Sequence, residues 1–209
     1  RGNGGGDEVL ATELFSYLVS EPFKHYECAV FKSDRFSFLK YAGEDPPYAT
    51  ILKNYVKPAS PQCRKYGPFE LTNRPNLGVQ QPRRPHYRGP VYVLTDGGSF
   101  STSAEFAALV RAHRRGLIIG QETSGSYYGG NSGIMPTITL PESKLSLTVP
   151  LIGYYLNVPH DQPRGAGVRP DIAVSYSQEE MMAGLDKEMG IARRLARSGL
   201  TVPPARPSP

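Results

Sequence analysis

Three serines at the start of a predicted helix have the clearest capacity for chemistry in this sequence. Ser99, Ser101 and Ser103 follow a short apolar run at 90–95 and an Asp-Gly-Gly turn. A serine in this position can act as a nucleophile, because its hydroxyl stands clear of the backbone. Free N–H groups and the positive end of the helix dipole can stabilise an oxyanion beside it. The same position also suits a serine that only caps the helix, a common role for this residue.

The elements that would position this serine can be predicted from the neighbouring sequence. The apolar run at 90–95 is typical of a buried strand, and residues 102–113 carry apolar side chains on one helical face. Thr102 and Glu105 have the spacing of a capping box. A second buried strand is predicted over 117–120. This alternation of strands and helices predicts an α/β fold.

The remaining elements are predicted from apolar periodicity and from turn and capping residues. The segment 43–90 holds nine of the 20 prolines, so we expect an insertion there with little regular structure and a short helix near 50–56. The other predicted elements are a helix over 8–20, extended structure over 24–41, strands over 134–140, 145–151, 154–158 and 172–174, and a helix capped by Ser177 and Glu180 that ends near 197.

Composition narrows the class of protein. With 39% hydrophobic and 21% charged residues, the 209-residue chain resembles a soluble globular protein, and no apolar stretch is long enough for a membrane span. The net charge of +5 comes from scattered basic residues, which favours a solvated surface over nucleic-acid binding. The two cysteines, Cys28 and Cys63, lie outside any metal-binding spacing; a disulfide and two buried thiols are both compatible with them.

Four segments resemble motifs of the tail-specific (C-terminal processing) serine protease family, in the family's order. Residues 98–106 are similar to its G-[TS]-A-S-A-S-E segment, and residues 114–125 to R-A-x-x-I-G-E-x-T-x-G. Residues 1–6 resemble D-L-R-x-N-x-G-G without its first two positions, and residues 167–171 resemble G-V-x-P-D. The resemblance implies a ClpP/crotonase-like spiral of ββα units. It makes residues 1–197 the C-terminal part of a protease catalytic domain, with the proline-rich insertion at 43–90 and a disordered tail at 198–209.

The resemblance also implies roles for individual residues. It places the family's nucleophile on Ser101 and its oxyanion donors on the backbone N–H of Thr102 and of Gly5 or Gly6. Ser99 and Ser103 then support the turn and the helix start. Tyr127, Tyr128 and Asn131 belong to a segment similar to G-x-Y-Y-G-N-x-S-G and would line the substrate groove, although a packed glycine turn also explains that segment.

One departure from the family pattern affects the general base. Many members carry a lysine directly after T-x-G, but this chain has Ser126 there, which excludes a Ser–Lys dyad in that arrangement. The chain therefore resembles the lysine-lacking, tricorn-like branch, in which a histidine upstream of the first signature is the base. The branch's acidic residue falls in the loop before Gly167. Asp161 is the nearest carboxylate there, the best-aligned position is Arg164, and Glu122 is a weaker candidate.

The four histidines of this chain offer weak candidates for the base. His113 lies twelve residues beyond Ser101 on the same predicted helix, about 18 Å away, so it is expected to be a surface or packing residue. His25 and His86 lie in or beside irregular regions, and His160 belongs to the loop expected to carry the acid.

The expected function is that of a serine endopeptidase that hydrolyses polypeptides through an acyl-enzyme on Ser101, with its base supplied from upstream. We expect no metal or cofactor, no nucleic-acid partner and no stable membrane insertion, and we leave homo-oligomerisation open. The family implies a periplasmic or secreted bacterial protein. The alternatives are a catalytically inactive peptide- or ligand-binding protein on the same fold, and an acyltransferase or hydratase of the wider crotonase-like fold. Enzymes of that wider fold lack the S-x-S-x-E helix start.

Overall fold

The computed structural model describes residues 1–42, 53 and 56–199. They form two compact units. The first unit comprises Arg1–Phe23, Val79–Tyr128 and the described part of Val158–Pro209, and the second comprises Gly129–Asn157 and the described part of Lys24–Gly78. Most of the predicted helix near 50–56 and of the predicted tail at 198–209 lies outside the described residues. Where the structure does describe them, Val56 begins a strand and Ser198 ends a helix.

Helices and short strands alternate along the chain, which confirms the mixed α/β class. In chain order the elements are α1 (Glu8–Ser16), β1 (Phe23–Lys24), β2 (Tyr26–Phe31), a 3-10 helix (Ser37–Tyr41), β3 (Val56–Pro58), β4 (Phe69–Leu71), β5 (Val79–Gln80), β6 (Tyr92–Thr95), α2 (Thr102–Ala112), β7 (Leu117–Gly120), β8 (Gly129–Ser132), β9 (Thr137–Thr139), β10 (Ser146–Thr148), β11 (Ile152–Leu156), β12 (Ile172–Ala173), α3 (Gln178–Met182) and α4 (Lys187–Ser198). No helix in these described ranges combines the length and the apolar character needed to cross a lipid bilayer.

The first unit is built on a parallel sheet of three strands in the order β12-β7-β6. Helix α2 connects β6 to β7, as a crossover between parallel strands requires. Its buried face packs with α1 in a cluster that includes Phe15, Leu109 and Val110, all fully buried. A second cluster joins Ile119 of β7 to Ala192 of α4. The sheet and these helices together fix both ends of α2.

The second unit is an antiparallel sheet of five strands in the order β3-β4-β2-β11-β8, with β9 and β10 forming a separate hairpin. Cys28 of β2 and Cys63 form a disulfide with a Cα–Cα distance of 5.6 Å. The bridge is buried in a small core with Val30 and Ala59. Of the two alternatives left open by the sequence, the structure therefore has the disulfide.

Several predicted boundaries shift in the structure. Helix α1 ends at Ser16 rather than at residue 20, because the N–H groups of Tyr17 and Leu18 turn back onto Leu14 and Phe15. The final predicted helix is two helices, since Gly184 adopts a left-handed φ of 63° and Asp186 caps a new helix. The segment 24–41 is only partly extended, because residues 37–41 form the 3-10 helix.

One predicted capping box is confirmed and the other is wrong. The Ser177 hydroxyl accepts from the Glu180 N–H, and the Glu180 carboxylate accepts from the Ser177 N–H, as expected. At α2, however, the N-cap is Ser101 and not Thr102, and its side chain makes no capping bond. The Thr102 hydroxyl donates instead to the carbonyl oxygen of Gly6 at 2.9 Å. Thr102 therefore ties α2 to the first residues of the chain.

Candidate active site

Ser101 has an unusual backbone conformation at the start of α2. Its φ is 52° and its ψ is −131°, a left-handed conformation that residues other than glycine rarely adopt. Holding such a residue costs on the order of 1–3 kcal/mol, and strain of this kind concentrates at functional sites. The Ser101 hydroxyl makes no capping bond, and its side chain is only half-buried. The hydroxyl is therefore available for a role other than capping.

Ser99 has a structural role, unlike Ser101. It is 2% exposed, and its hydroxyl donates to the Asp96 carboxylate at 3.2 Å while accepting from the Asp96 N–H at 3.1 Å. Both bonds close the turn between β6 and α2. This agrees with the expectation that Ser99 supports the turn.

The segment Arg1–Gly6, which we call the glycine segment, runs beside the turn that carries Ser101, which we call the serine turn. The Phe100 N–H donates to the Asn3 carbonyl oxygen at 3.1 Å. Gly5 comes so close that a Cβ built on it would lie 2.8 Å from the Ser101 Cβ and 2.9 Å from the Thr102 nitrogen. Its φ of 98° also requires glycine. The structure thus brings together the serine and the two segments that were expected to hold its oxyanion donors.

Gly5 and Gly6 differ in the state of their N–H groups. The Gly5 N–H donates to the Asn3 side-chain oxygen at 3.0 Å, whereas the Gly6 N–H has no hydrogen-bond partner in the part of the chain that the structure describes. Among the same residues, the Thr102 N–H also has no partner, as is usual for the first residue of a helix. Among the described residues, Thr102 and Gly6 therefore supply uncommitted backbone donors in the two segments beside Ser101.

Asp96, for which the sequence predicts only a turn, anchors this arrangement. Its carboxylate accepts from the Gly2 N–H at 2.8 and 3.0 Å and from the Gly98 N–H at 2.9 Å. Burial alone would raise the pKa of the Asp96 carboxyl, but hydrogen bonds from Gly2, Ser99 and Gly98 outweigh it and hold the pKa below its usual value. The ionised carboxylate thus fastens the start of the glycine segment to the serine turn.

Arg1 holds the other side of the same segment. Its guanidinium pairs with Asp186, which caps α4, and with Glu188 at 2.9 Å. The hydrogen bond from Arg1 lowers the pKa of the Asp186 carboxyl to about 2. The glycine segment is therefore held by charged groups from two directions, one at the serine turn and one at α4.

The loop after β7 packs against the serine turn. The N–H groups of Ser124 and Gly125 donate to the Ser99 carbonyl oxygen at 3.1 and 3.3 Å. A Cβ on Gly125 would lie 3.0 Å from the Ser101 nitrogen, which explains the requirement for glycine there. Ser126, which stands where many relatives carry lysine, pairs with Gly167 in an isolated antiparallel bridge.

The carboxylate of Glu122 is engaged in this loop. It accepts from the Gly167 N–H at 2.8 Å and lies 3.7 Å from the Arg169 guanidinium. Both contacts tie the loop to the segment that precedes β12.

Tyr127, Tyr128 and Asp161 lie in one neighbourhood of the first unit. Tyr127 is fully buried, and its hydroxyl has no hydrogen-bond partner among the described residues. Burial and the nearby Asp161 carboxylate raise the pKa of this hydroxyl. The Tyr128 hydroxyl donates to the Gln162 carbonyl oxygen at 2.6 Å, and the His160 ring stacks on Tyr128 with centroids 5.1 Å apart.

The other predicted site residues are placed separately. Asn131 is an exposed residue of β8 in the second unit, paired with Gly153. His25 belongs to the same unit, where it is fully buried and stacks on Tyr26. In the first unit the His113 ring packs edge-on against Phe15 at 5.2 Å, and burial lowers its pKa, so its packing role is confirmed.

A strained serine at the start of a helix, with uncommitted backbone N–H groups beside it, resembles the nucleophile turn of serine hydrolases. Residues 1–174 match the model of peptidase family S41, so the chain belongs to that family.

Individual relatives are similar to this chain over different extents. The carboxy-terminal-processing protease of Bartonella bacilliformis is 33% identical over 102 residues, which cover 48% of this chain and 22% of that protein. Among solved structures, mature CPAF superposes with a TM-score of 0.58 at 19% identity, covering 97% of this chain and 44% of that one. A peptidase candidate from Parabacteroides merdae gives 0.53 at 20% identity, covering 96% and 52%. The structures share the fold, and this chain spans about half of their length or less.

Proposed function

We propose that residues 1–197 form the C-terminal part of the catalytic domain of a serine endopeptidase that hydrolyses polypeptides through an acyl-enzyme on Ser101. The observation that carries this proposal is the backbone of Ser101, with a φ of 52° and no capping bond from its side chain. A serine serving only as a helix cap has no need of a left-handed conformation, and a cap is typically extended. A strained turn that presents a hydroxyl at a helix start is how other serine hydrolases expose their nucleophile.

In the proposed reaction, the Ser101 oxygen attacks the carbonyl carbon of the scissile peptide while a histidine takes the hydroxyl proton. The N–H groups of Thr102 and Gly6 donate to the resulting oxyanion, and Gly5 permits the close approach of the two segments. Collapse of the intermediate breaks the C–N bond, and the amine leaves with the proton from the imidazolium. Water then hydrolyses the serine ester with the same base, which restores the free hydroxyl.

We assign the base to a histidine upstream of Arg1, with Asp161 as the acid that orients it. Two observations support an upstream base. Ser126 replaces the family's lysine, and His113 is packed between aromatic rings rather than beside Ser101. Tyr128 and Asn131 are proposed as substrate contacts on their resemblance to the family's segment, and Tyr127, which is fully buried, would support the ring of Tyr128.

Two further properties belong to the same proposal. The fold would be the ClpP/crotonase-like spiral, for which the α2 crossover between the parallel strands β6 and β7 is one element of support. The protein would work outside the cytoplasm, because a buried disulfide such as Cys28–Cys63 persists in oxidising compartments.

A fluorophosphonate probe tests the proposal, since it reacts only with an activated serine. The protein expressed from its whole coding sequence should be labelled, and Ser101→Ala should abolish labelling. Ser103→Ala is the matched control, because it removes a neighbouring hydroxyl two residues further along the same helix and should leave labelling unchanged. A folded protein that is not labelled, or labelling that persists in Ser101→Ala, would contradict the proposal.

The second candidate is a catalytically inactive protein that binds peptides on the same fold. Ser126 favours it, because the lysine that activates the serine in many relatives is missing here. This candidate predicts that the folded protein binds peptides but that neither Ser101 nor any other serine is labelled. The same labelling experiment therefore separates the two functions.

A further inference from the structure

We propose that a cavity at the C-terminal end of α2 binds a small phosphate-bearing anion. The cavity has a volume of about 860 Å³ and is formed entirely by the first unit. Three segments line it: residues 18–21 after α1, residues between 84 and 91 before β6, and residues 113–115 after α2. We call it the arginine cavity. It lies at the opposite end of α2 from Ser101, so it is distinct from the proposed catalytic site.

The lining of the arginine cavity is strongly positive. Four arginines line it, against a single carboxylate from Glu21. The two histidines of the lining are not counted as charges, because burial lowers the pKa of His113 and the His86 ring accepts a hydrogen bond from Arg88. A concave surface lined by one sign of charge concentrates the field and attracts ligands of the opposite sign. The arginines are Arg84, Arg88, Arg114 and Arg115.

Arg115 has a structural role that differs from the role of the other three. Its guanidinium donates to the carbonyl oxygens of Leu18, Tyr87 and Gly89, the last two at 2.7 and 2.9 Å. These bonds join all three segments that line the cavity. Arg115 also offsets the partial negative charge of carbonyl groups near the end of α1. The cavity wall is therefore fixed before any ligand arrives.

Backbone bonds add to this rigidity. The Tyr87 N–H donates to the Tyr17 carbonyl oxygen at 2.7 Å, and the Arg83 N–H donates to Ser16 at 2.9 Å. The segment before β6 is thus attached to the last turn of α1 by its main chain. A preorganised wall of this kind reduces the entropy lost when a ligand binds.

Arg84, Arg88 and Arg114 are not committed to other anions. Across residues 1–42, 53 and 56–199, none of these three forms an ion pair or donates to a carbonyl oxygen. By contrast, the adjacent Arg83 pairs with Glu13 at 3.3 Å. The Arg88 Nε instead donates to the His86 ring at 3.2 Å, which orients its guanidinium. Three exposed cationic groups on one concave surface are thus available to a ligand.

The backbone conformation of Arg114 is an independent indication that its side chain has a role in the cavity. It follows the C-cap of α2 with a φ of 48°, in the position where helices usually place glycine. An arginine in this conformation is disfavoured relative to glycine. Its presence therefore favours a role for the side chain itself, which lines the cavity.

The arrangement points to a compact ligand with several charged oxygens. A guanidinium matches the oxygens of a phosphate or carboxylate with two parallel hydrogen bonds. Three such groups around one cavity suit a ligand with more charge than a single carboxylate has. The volume falls within the roughly 300–1,000 Å³ of small-molecule sites. Pyrophosphate linked to a small organic group fits both the charge and the space.

Calorimetric titration with sodium pyrophosphate at constant ionic strength tests the proposal. The protein should bind pyrophosphate saturably, and Arg84→Gln and Arg88→Gln should each weaken binding about fivefold or more, since each loses a charge-assisted hydrogen bond. Arg83→Gln is the matched control. It removes the same charge one residue away, outside the cavity lining, and should change binding less than twofold. This measurement needs no catalysis, so it is independent of the proposed peptidase activity.

The variant Arg114→Gly separates a loss of binding from a loss of folded structure. It should weaken binding while leaving thermal stability unchanged or higher, because it relieves the left-handed backbone. Absence of saturable binding to the folded protein would overturn the proposal, as would equal losses in Arg83→Gln and Arg84→Gln. Tighter binding of a poly-glutamate peptide than of pyrophosphate would also overturn it, because the cavity would then select an acidic peptide.

Discussion

Helix α2 has opposite chemistry at its two ends. At its N-terminal end, the Thr102 N–H has no partner among the described residues, and the Ser101 side chain makes no capping bond. At its C-terminal end, the His113 ring is packed against Phe15 and Phe23, and Arg115 donates to three carbonyl oxygens. Both ends leave groups uncommitted, but of different kinds. Backbone donors and a hydroxyl are uncommitted at the serine end, whereas at the other end the exposed guanidinium of Arg114 lies beside the engaged Arg115.

Both ends nevertheless hold a residue other than glycine in a left-handed conformation, with φ of 52° at Ser101 and 48° at Arg114. Each must be held by the contacts around it. At the serine end these contacts come from the glycine segment and the loop after β7, and at the arginine end from Arg115. Under the two proposals above, each of these strained residues holds a side chain that contacts a ligand.

The largest effect is expected at Gly5, where the glycine segment meets the serine turn. Gly5→Ala should destabilise the protein by about 3 kcal/mol and abolish fluorophosphonate labelling, because its φ is 98° and a Cβ would meet Ser101 and Thr102 at 2.8–2.9 Å. Urea denaturation measures the first effect. Gly4→Ala is the control, since nothing lies within 4 Å of a Cβ there. If Gly5→Ala and Gly4→Ala have equal free energies of unfolding, the close approach of Gly5 to Ser101 is wrong.

The next largest effect is expected at the opposite end of α2. Arg115→Ala should lower the free energy of unfolding by about 2 kcal/mol, because three carbonyl oxygens lose a charged donor. Arg114→Ala, at the neighbouring position, should change it by less than about 0.5 kcal/mol because its side chain is exposed. Labelling of Ser101 should persist in both variants. A loss of labelling with little loss of stability would show that the two ends are coupled.

A smaller, pH-dependent effect is expected at Asp96. Its pKa is lowered in the folded protein, so its ionised form adds stability above the usual pKa of an aspartate, near pH 4, and that stability is lost as the pH falls through the folded pKa. Asp96→Asn should melt at a lower temperature than the unsubstituted protein at pH 7. The difference between the two melting temperatures should shrink in more acidic buffer. If the difference in melting temperature does not vary with pH, the Asp96 carboxylate stabilises the protein through its hydrogen-bond geometry and not through its charge.

Local features of the sequence predicted much of the first unit. The strand over 117–120 was predicted with its observed bounds, and the helix after Ser101 within one residue, because an apolar run and a single amphipathic face determine them. The short strands of the proline-rich segment were harder to locate. Residues 56–58 and 69–71 of the second unit and residues 79–80 of the first unit form strands where little regular structure was expected. Their pairing depends on distant strands rather than on local periodicity.

The details of the site depend on contacts that join distant parts of the sequence. Asp96 meets Gly2 across 94 residues, so no local pattern indicated that it anchors the glycine segment. The difference between Gly5 and Gly6 depends on the direction of one side chain, that of Asn3. By contrast, Ser101 can be proposed as the nucleophile from the family motif alone, because strand, tight turn and helix start lie within a few residues of each other.

The disulfide between Cys28 and Cys63 changes what a break in the backbone would do. Every peptide bond between these two residues lies inside a covalent loop, since the bridge joins positions 35 residues apart. A protein exposed to proteases could be nicked anywhere in that loop and still remain a single covalent molecule. Such a nicked form would migrate as two fragments on a gel only after reduction, and the bridge would keep both fragments at native local concentration.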